Sequence, residues 1–279
     1  MLPRWNSKLN NLKLFLRKLE VLLSINFKRN KRGRKPKHSI RSYVKLIVVK
    51  EYKNASLRDA ECDFSRTVCR SRVDHSVIHY WEKKLPKEVV EKVVRIVAEE
   101  IERQLGYNFS VIDSTKFASW KKNDELEFHT LTRITKGTVY PSSVYFGSVR
   151  PSKAVDNVLI EGSGDLLCDA WYDDNDSIGI MFNRGYVPYV SPNTGRWRGH
   201  WRHKARKLYM HPFGRQKYRQ RGRGESPYGS LTDEFGDRLK SRRIDSTMTR
   251  IGARVITHLV KLYMRIDDNL ILIKILMNC

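Results

Sequence analysis

The sequence lacks the cysteine patterns of zinc-binding and disulfide-bonded proteins. Only four cysteines occur, Cys62, Cys69, Cys168 and Cys279, and no two of them show C-x-x-C spacing. Structural zinc sites use cysteine or histidine pairs at short spacing, and disulfide frameworks need closely spaced sets of cysteines. The sequence therefore predicts reduced thiols with a mostly structural role.

Long apolar runs and nucleotide-binding loops are also missing. No apolar stretch reaches the ~20 residues that a membrane span requires. The N-terminal apolar residues are interrupted by Lys13, Arg17, Lys18 and Glu20, which favours an amphipathic helix over a signal peptide. No glycine-rich loop of the kind that holds ATP phosphates is present. We therefore expect a cytoplasmic protein, and nothing in the sequence indicates nucleotide hydrolysis.

Acidic residues are scarce relative to basic ones. The chain has 54 Lys and Arg against 30 Asp and Glu, which gives a formal net charge of +24. This excess exceeds what solubility needs and indicates a polyanionic partner, either nucleic acid or an anionic membrane surface. A hydrophobic content of 40% over 279 residues is enough for one substantial core with a smaller domain attached.

The first part of the chain has helical periodicity. Ser39 is a suitable N-cap for one of these helices, and Gly106 is suited to end the last of them. The predicted helices cover residues 9–27, 40–52, 56–64, 74–81 and 86–104. We accordingly expect a helical N-terminal domain over residues 1–106.

A basic run separates the first two predicted helices. Residues 28–37 contain seven Lys or Arg in ten positions. Such a run is either a solvated linker or an extended arm whose Arg32, Arg34 and Lys35 lie in a DNA minor groove. The two short helices that follow resemble a helix-turn-helix, although any small three-helix bundle gives the same pattern. Recognition of DNA ends, or dimerisation, is the role we expect for this domain.

Strand periodicity begins at Asn108. Three runs rich in β-branched and aromatic residues, FSVID, HTLTRIT and TVYPSSVYFGSV, predict an antiparallel meander with a turn at Lys136-Gly137. A helix over residues 152–160, the strand DLLCDA, a helix over 176–182 and the strand YVPYV follow. This order predicts an α/β domain with the mixed sheet of the RNase H-like fold.

Residues 194–223 form the most basic stretch of the chain. They contain eleven Lys or Arg, no acid, and several interleaved aromatic residues. We expect a loop that holds DNA through phosphate contacts and stacking, the alternative being a basic surface with aromatic residues in the core. The candidate contacts are Arg196, Arg198, Arg202, Lys204, Arg206, Lys207, Arg215, Lys217, Tyr218 and Arg221.

Three acids are the candidate catalytic residues. Asp113 and Asp169 fall at the ends of predicted strands, and Glu225 is the first acid after Asp176. The gaps from Asp113 to Asp169 and from Asp169 to Glu225 are both 56 positions. On a helix, Glu225 would share one face with Tyr218 and Arg221. Each acid also has a non-catalytic interpretation, as a turn cap or as part of a solvated acidic turn.

The segments around these acids resemble a known family. The segments VIDSTKF, LLCDAWYDD and YRQRGRGES, with FGDRLKSR after them, are similar to the three signature blocks of DDE transposases from bacterial and archaeal insertion sequences. In the third block, Tyr218, Arg221 and Glu225 match the family's Tyr, Arg and Glu. Thr232 occupies the position of the family's Lys. Pro227 and Gly229 predict an interruption of the helix that usually carries this block.

The resemblance implies a metal-dependent enzyme. It assigns two Mg²⁺ ions, which Mn²⁺ can replace, to Asp113, Asp169 and Glu225, with Asp113 bridging the ions. It also implies an RNase H-like catalytic domain over residues 107–279, including the basic segment and the C-terminal helices. The expected partners are double-stranded DNA, as terminal inverted repeats and target, and further copies of the chain. A prokaryotic, nucleoid-associated location follows.

Two questions stay open at this level. Pro227 would place Glu225 just outside a helix capped by Ser226, which makes Glu234 an alternative third acid. The match of Glu225 to the family pattern favours Glu225. The alternatives to a transposase are a host nuclease on the same fold and a DNA-binding protein that has lost catalysis, for which Pro227, Gly229 and Thr232 argue.

Overall fold

The computed structural model describes residues 11–23, 35–118, 125–147, 149–194, 198–236, 241 and 243–277, with side chains as far as residue 266. The chain divides into two compact units. The helical unit comprises Met1–Gln104 and Ser241–Cys279, and the sheet unit comprises Leu105–Lys240. No helix in these described ranges combines the length and the apolar character that crossing a membrane demands.

The described elements of the helical unit are helices. Their order along the chain follows the predicted one, with a π-helical turn at Ala60–Phe64 inside the third predicted helix. The helices are α1 Leu12–Leu22, α2 Ile40–Tyr52, α3 Leu57–Asp59, α4 Ser65–Cys69, α5 His75–Lys84, α6 Lys87–Leu105 and α12 Ile244–Met277.

Two helix ends in the structure agree with those predicted from local residues in the sequence. The Ser39 hydroxyl accepts a hydrogen bond of 3.2 Å from the Ser42 amide at the start of α2, so the predicted N-cap is confirmed. Gly106 has a φ of +60° directly after α6, a conformation that L-residues rarely adopt. Residues 24–34 lie outside the described ranges, so the basic arm with Arg32 and Arg34 stays a prediction.

The C-terminal helix α12 packs on the helical unit. Sequence analysis placed the C-terminal helices with the catalytic domain, and the structure corrects this assignment, because α12 contacts α1, α2 and α5. Its buried residues Ile251, Val255 and Leu259 recur at intervals of four, which is the spacing of one helix face. This apolar face is covered by the N-terminal helices.

The sheet unit contains a five-stranded mixed sheet with strand order β3-β2-β1-β4-β5. Strands β1, β2 and β3 are antiparallel neighbours, whereas β4 runs parallel to both β1 and β5. The elements are β1 Phe109–Ala118, β2 Glu125–Ile134, β3 Val139–Phe146, α7 Pro151–Val158, β4 Gly164–Cys168, α8 Asn175–Asn183 and β5 Tyr186–Val190. The predicted meander and the βββ-α-β-α-β order are confirmed.

Both faces of the sheet are covered. Neighbouring residues of a strand point to opposite faces, so Ile112 and Leu166 belong to one buried cluster and Val111 and Leu167 to another. Helices α7 and α8 contribute Val155 and other apolar residues to the first cluster. Burial on both sides explains why β4 reads as a continuous apolar run.

The basic segment is helical, which corrects the prediction of a loop. It forms α9 His200–Met210, α10 Pro212–Tyr218 and a 3-10 segment Arg219–Glu225, followed by α11 Ser226–Phe235. Trp201, Ala205 and Leu208 recur at intervals of four and three and pack against the core clusters, which is the pattern of an amphipathic helix. Trp201 and Tyr218 are thus partly buried against the core clusters, which agrees in part with the alternative interpretation, whereas Phe213 is exposed.

Candidate active site

Two of the three acids lie side by side at the point where β1 and β4 stop pairing. Ile112 of β1 pairs with Cys168 of β4, so Asp113 and Asp169 are the next residues along each strand. Asp169 follows the end of β4, whereas β1 continues to Ala118, and the parallel register brings the two side chains to one site. The Asp113 carboxylate accepts a 2.9 Å hydrogen bond from the Ser114 amide, and the Asp169 carboxylate accepts one from the Ala170 amide.

The 3-10 segment brings Glu225 to these two acids. Gly224 lies so close to β1 that a Cβ atom on it would stand 2.5 Å from Cγ1 of Val111. Only glycine therefore allows this approach without displacing the segment or the strand. Val111 is two residues before Asp113, so the close contact holds the start of α11, and Glu225 with it, beside the middle of β1.

Arg221 connects Asp113 with Glu225. Its Nη1 lies 3.3 Å from Oδ2 of Asp113, and its Nη2 lies 3.2 Å from Oε1 of Glu225. Exposed fractions of these side chains are 14% for Asp113, 23% for Arg221 and 59% for Glu225. One guanidinium thus spans a buried and an exposed carboxylate.

The influences on the Asp113 pKa agree with a site in which the three acids are neighbours. Burial raises the pKa of Asp113 above its usual range, and the charges of Glu225 and Asp169 add smaller rises. The Ser114 amide and the Arg221 guanidinium act in the opposite direction without cancelling the rise in pKa. The three carboxylates together carry more negative charge than the one guanidinium that bonds two of them can neutralise.

A divalent cation fits this set of residues. Carboxylate oxygens are the ligands that Mg²⁺ and Mn²⁺ prefer, and a cation would offset the mutual repulsion of the acids. Among the described residues, one group of potential ligands has atoms within 4.8 Å of one another, and it is Glu61, Asp74 and His75 of the helical unit rather than the three acids of the sheet unit. The Glu61 carboxylate there already accepts bonds from Arg72 and from the His75 amide.

Tyr228 is part of the site and was not predicted. Its hydroxyl lies 2.5 Å from Oγ1 of Thr130 and donates a 3.2 Å hydrogen bond to the carbonyl of Asp113. Burial raises the pKa of Tyr228 far above its usual range, so the hydroxyl stays protonated. No local pattern signals this contact, because Asp113 and Tyr228 are distant in sequence and Thr130 comes from a third element.

The predicted interruption of the third block by proline and glycine does not occur. Pro227 lies in the first turn of α11, where a proline costs no hydrogen bond, and Gly229 faces open space. Ser226 has helical φ and ψ angles and begins α11, so Glu225 rather than Ser226 is the N-cap residue, and Glu225 lies just before the helix. The Thr232 hydroxyl donates to the carbonyls of Tyr228 and Gly229, so no cation stands where the family has Lys.

Tyr218 is placed as a supporting residue. Its ring packs on the core cluster of Val111 and Ile134 and meets the Tyr209 ring edge-on at 5.1 Å. Burial raises the pKa of its hydroxyl, which bonds Ser191. The expectation that Tyr218 contacts DNA remains a prediction, and the side chain has a packing role besides.

Several of the predicted DNA contacts have partners within the chain, as Arg221 does with Asp113 and Glu225. Arg202 forms a two-pronged ion pair with Asp173, at 2.9 and 2.7 Å, and Lys217 lies 2.7 Å from Oδ2 of Asp165. Arg196 is outside the described residues. The exposed candidates are Lys35, Arg198, Lys204, Arg206, Lys207 and Arg215.

Comparison with known sequences decides the family. The sequence model of the family described as "Transposase DDE domain" matches residues 104–260, which is more than half of the chain and includes all three acids. This chain belongs to the DDE transposase family. It is also similar to an uncharacterized protein of Aquifex aeolicus (strain VF5), 26% identical over 236 residues that cover 75% of this chain and 73% of that protein.

DDE transposase domains carry an RNase H-like fold, and the five-stranded mixed sheet described above agrees with it. The family name states that two Asp and one Glu define the site. Asp113, Asp169 and Glu225 occupy the matched region, as does Glu234. Both glutamates are exposed, and Glu225 is the one that shares the Arg221 guanidinium with Asp113, whereas Glu234 lies nine residues later on α11.

Proposed function

We propose that this chain is an insertion-sequence transposase that binds the ends of its element, cleaves them, and joins the 3′ ends to target DNA. The observation that carries the proposal is the pair of acids on neighbouring parallel strands, with Glu225 connected to Asp113 through Arg221. Three neighbouring carboxylates, two of which share one guanidinium, fit divalent-metal chemistry better than a structural ion pair.

Each acid has a distinct place in the proposed reaction. Asp113, the most buried of the Asp113–Arg221–Glu225 group, would contact both cations, while Asp169 and Glu225 each complete one metal site. When bound, the two ions supply stabilisation of the attacking and leaving oxygens of the phosphodiester. Tyr228 holds the Asp113 backbone through its carbonyl, so the carboxylate is fixed before DNA arrives.

DNA would be held by the exposed basic side chains of the sheet unit. Lys204, Arg206 and Lys207 are exposed on α9, and phosphate contacts from such residues position a duplex without reading its sequence. We further propose that the helical unit, with the basic run of residues 28–37, recognises the terminal repeats and contributes to dimerisation. A cytoplasmic, nucleoid-associated location would follow from the substrate.

A second candidate function is DNA binding without strand transfer. The observation that favours it is Thr232, whose hydroxyl bonds to its own helix at the position where the family has Lys. Without a lysine at this position, the chain would bind the DNA phosphates near the acids less tightly. This candidate predicts undiminished binding of element ends with no cleaved product.

The proposal is tested by incubating the purified chain with DNA that carries the element's ends. We expect nicking and joining with Mg²⁺ or Mn²⁺, and none with EDTA. Asp113→Asn and Asp169→Asn should each abolish cleavage and leave binding of the same DNA intact. Undiminished cleavage by either variant would remove that residue from the reaction, and binding with no cleavage by the wild type would support the second candidate.

A further inference from the structure

Arg221 occupies an unusual place for a cation in a metal-binding site. Its two terminal nitrogens reach different carboxylates, Oδ2 of Asp113 at 3.3 Å and Oε1 of Glu225 at 3.2 Å. Within the described part of the chain, no other Lys or Arg bonds either of these carboxylates. The guanidinium therefore spans the same oxygens that a divalent cation would use.

Charge makes the guanidinium and a metal ion competitors. A cation bound to Oδ2 of Asp113 and Oε1 of Glu225 would face a positive charge within about 4 Å, where like charges repel strongly in a partly buried site. The side chain of Arg221 is 23% exposed, so it has solvent to move into. Asp113 cannot move in the same way because Tyr228 and Ser114 hold it.

The contacts of Arg221 are weak enough to be displaced. Both distances are at the long end of the hydrogen-bond range, and the Glu225 side chain is mostly exposed, which limits the strength of that pair. The backbone at Glu225 is held independently by the contact of Gly224 with Val111. Loss of Arg221 should therefore relieve competition for the acids more than it disorders them.

We propose that Arg221 is the resident counter-cation of the metal-free site, and that divalent metal binding displaces its guanidinium from Asp113 and Glu225. This inference rests on the proposed function, because it assumes that the acids hold metal. Arg221 is then a positioning residue that keeps the exposed Glu225 near Asp113 until a metal ion replaces it.

The test is calorimetric titration of the full chain with Mn²⁺ in the absence of DNA. Arg221→Met should bind Mn²⁺ about tenfold more tightly than the wild type, the effect of removing one nearby positive charge. The matched control is Arg223→Met. It removes the same charge two positions along the chain, from a guanidinium that bonds the Thr135 carbonyl and neither acid. Its affinity should stay close to that of the wild type.

The outcomes separate the inference from the proposed function. If Arg221→Met binds Mn²⁺ no more tightly than the wild type and Asp113→Asn abolishes binding, the proposed role of Arg221 is wrong and the metal site is supported. Binding that Asp113→Asn does not reduce would overturn the metal site itself. If Arg221→Met does not fold, Arg221→Gln replaces it, because glutamine also removes the positive charge, and its affinity should exceed that of the wild type.

Discussion

The two units each contain a cluster of acids, and the clusters differ in how their charge is balanced. In the helical unit, the buried Glu51 and Glu82 pair with Lys50, Arg250 and Arg254 at 2.6 to 3.1 Å. In the sheet unit, Asp113 and Glu225 share Arg221, and Asp169 has no ion pair with a described residue. The first cluster has more cations than acids and the second has fewer.

The pKa values follow this difference. Burial disfavours the charged form of Glu51, yet Lys50, Arg254 and Arg250 together hold the pKa of Glu51 below its usual range. The pKa of Asp113 is raised by burial and by the two neighbouring acids. A cluster that is complete by itself stabilises the fold, whereas a cluster short of positive charge is suited to bind a cation.

The largest effect expected from this comparison is on stability. Glu82→Gln removes a fully buried acid between Lys50 and Arg250, and breaking such a buried network should cost about 3–5 kcal/mol of unfolding free energy. Asp113→Asn should change that free energy little or raise it, since it relieves repulsion among acids. Urea unfolding followed by circular dichroism measures both; a larger loss for Asp113→Asn would reverse the roles of the two clusters.

The next effect concerns the approach of the 3-10 segment to β1. Gly224→Ala would force a Cβ atom against Val111 and should cost about 1–3 kcal/mol by overpacking. The same shift should move Glu225 and reduce cleavage. Gly222→Ala is the matched control, because a Cβ at Gly222 meets open space. Equal loss of cleavage in both variants would show that the close contact does not position Glu225.

A smaller effect is expected from the basic face of α9. Replacing Lys204 and Lys207 with Ala should weaken binding to all DNA sequences by about tenfold and reduce the salt dependence by about one unit of slope for each phosphate that the protein no longer neutralises. Arg202→Ala should act differently, by destabilising the fold, since its partner Asp173 is only 7% exposed. Titration at several salt concentrations separates these effects. A selective loss of terminal-repeat binding would place sequence recognition in α9.

The smallest effect is a pH dependence of opposite sign in the two clusters. The pKa of Asp113 is raised in the folded chain. Just above about pH 4, the folded metal-free chain therefore binds a proton at Asp113 more readily than the unfolded chain does. The contribution of Asp113 to the free energy of unfolding falls as the pH rises through the folded pKa. Glu51, with a lowered pKa, contributes stability that is lost as pH falls through its folded pKa. Unfolding of Asp113→Asn across this range should lack the first trend; its persistence would assign the trend to another group.

Much of the fold followed from local signals. Strand alternation, the Ser39 cap and the Gly106 stop each depend on residues within a few positions, and such signals survive folding. The placement of α12 did not follow, because its apolar face fits any apolar partner. The high charge of the basic segment suggested a loop. The spacing of Trp201, Ala205 and Leu208, which indicates a helix, is the signal that predicts the observed structure.

The candidate site was predicted in its residue types and not in its contacts. The predicted strand order made Asp113 and Asp169 neighbours, and the family pattern selected Glu225, but β1 continues past Asp113 to Ala118. Three contacts of the site join residues about a hundred positions apart in the sequence. They are the Arg221–Asp113 ion pair, the Tyr228–Asp113 hydrogen bond and the approach of Gly224 to Val111. Contacts at such separation depend on how the elements pack, which periodicity and motif spacing do not specify.

The choice of the third acid tests the account most directly. Cleavage of element-end DNA with Mg²⁺ should be measured for Glu225→Gln and Glu234→Gln, which make the same chemical change nine positions apart. We expect Glu225→Gln to lose at least about a thousandfold in rate, roughly 4 kcal/mol of barrier, and Glu234→Gln to cleave like the wild type. Full activity of Glu225→Gln together with loss of activity in Glu234→Gln would contradict the account and move the third ligand along α11.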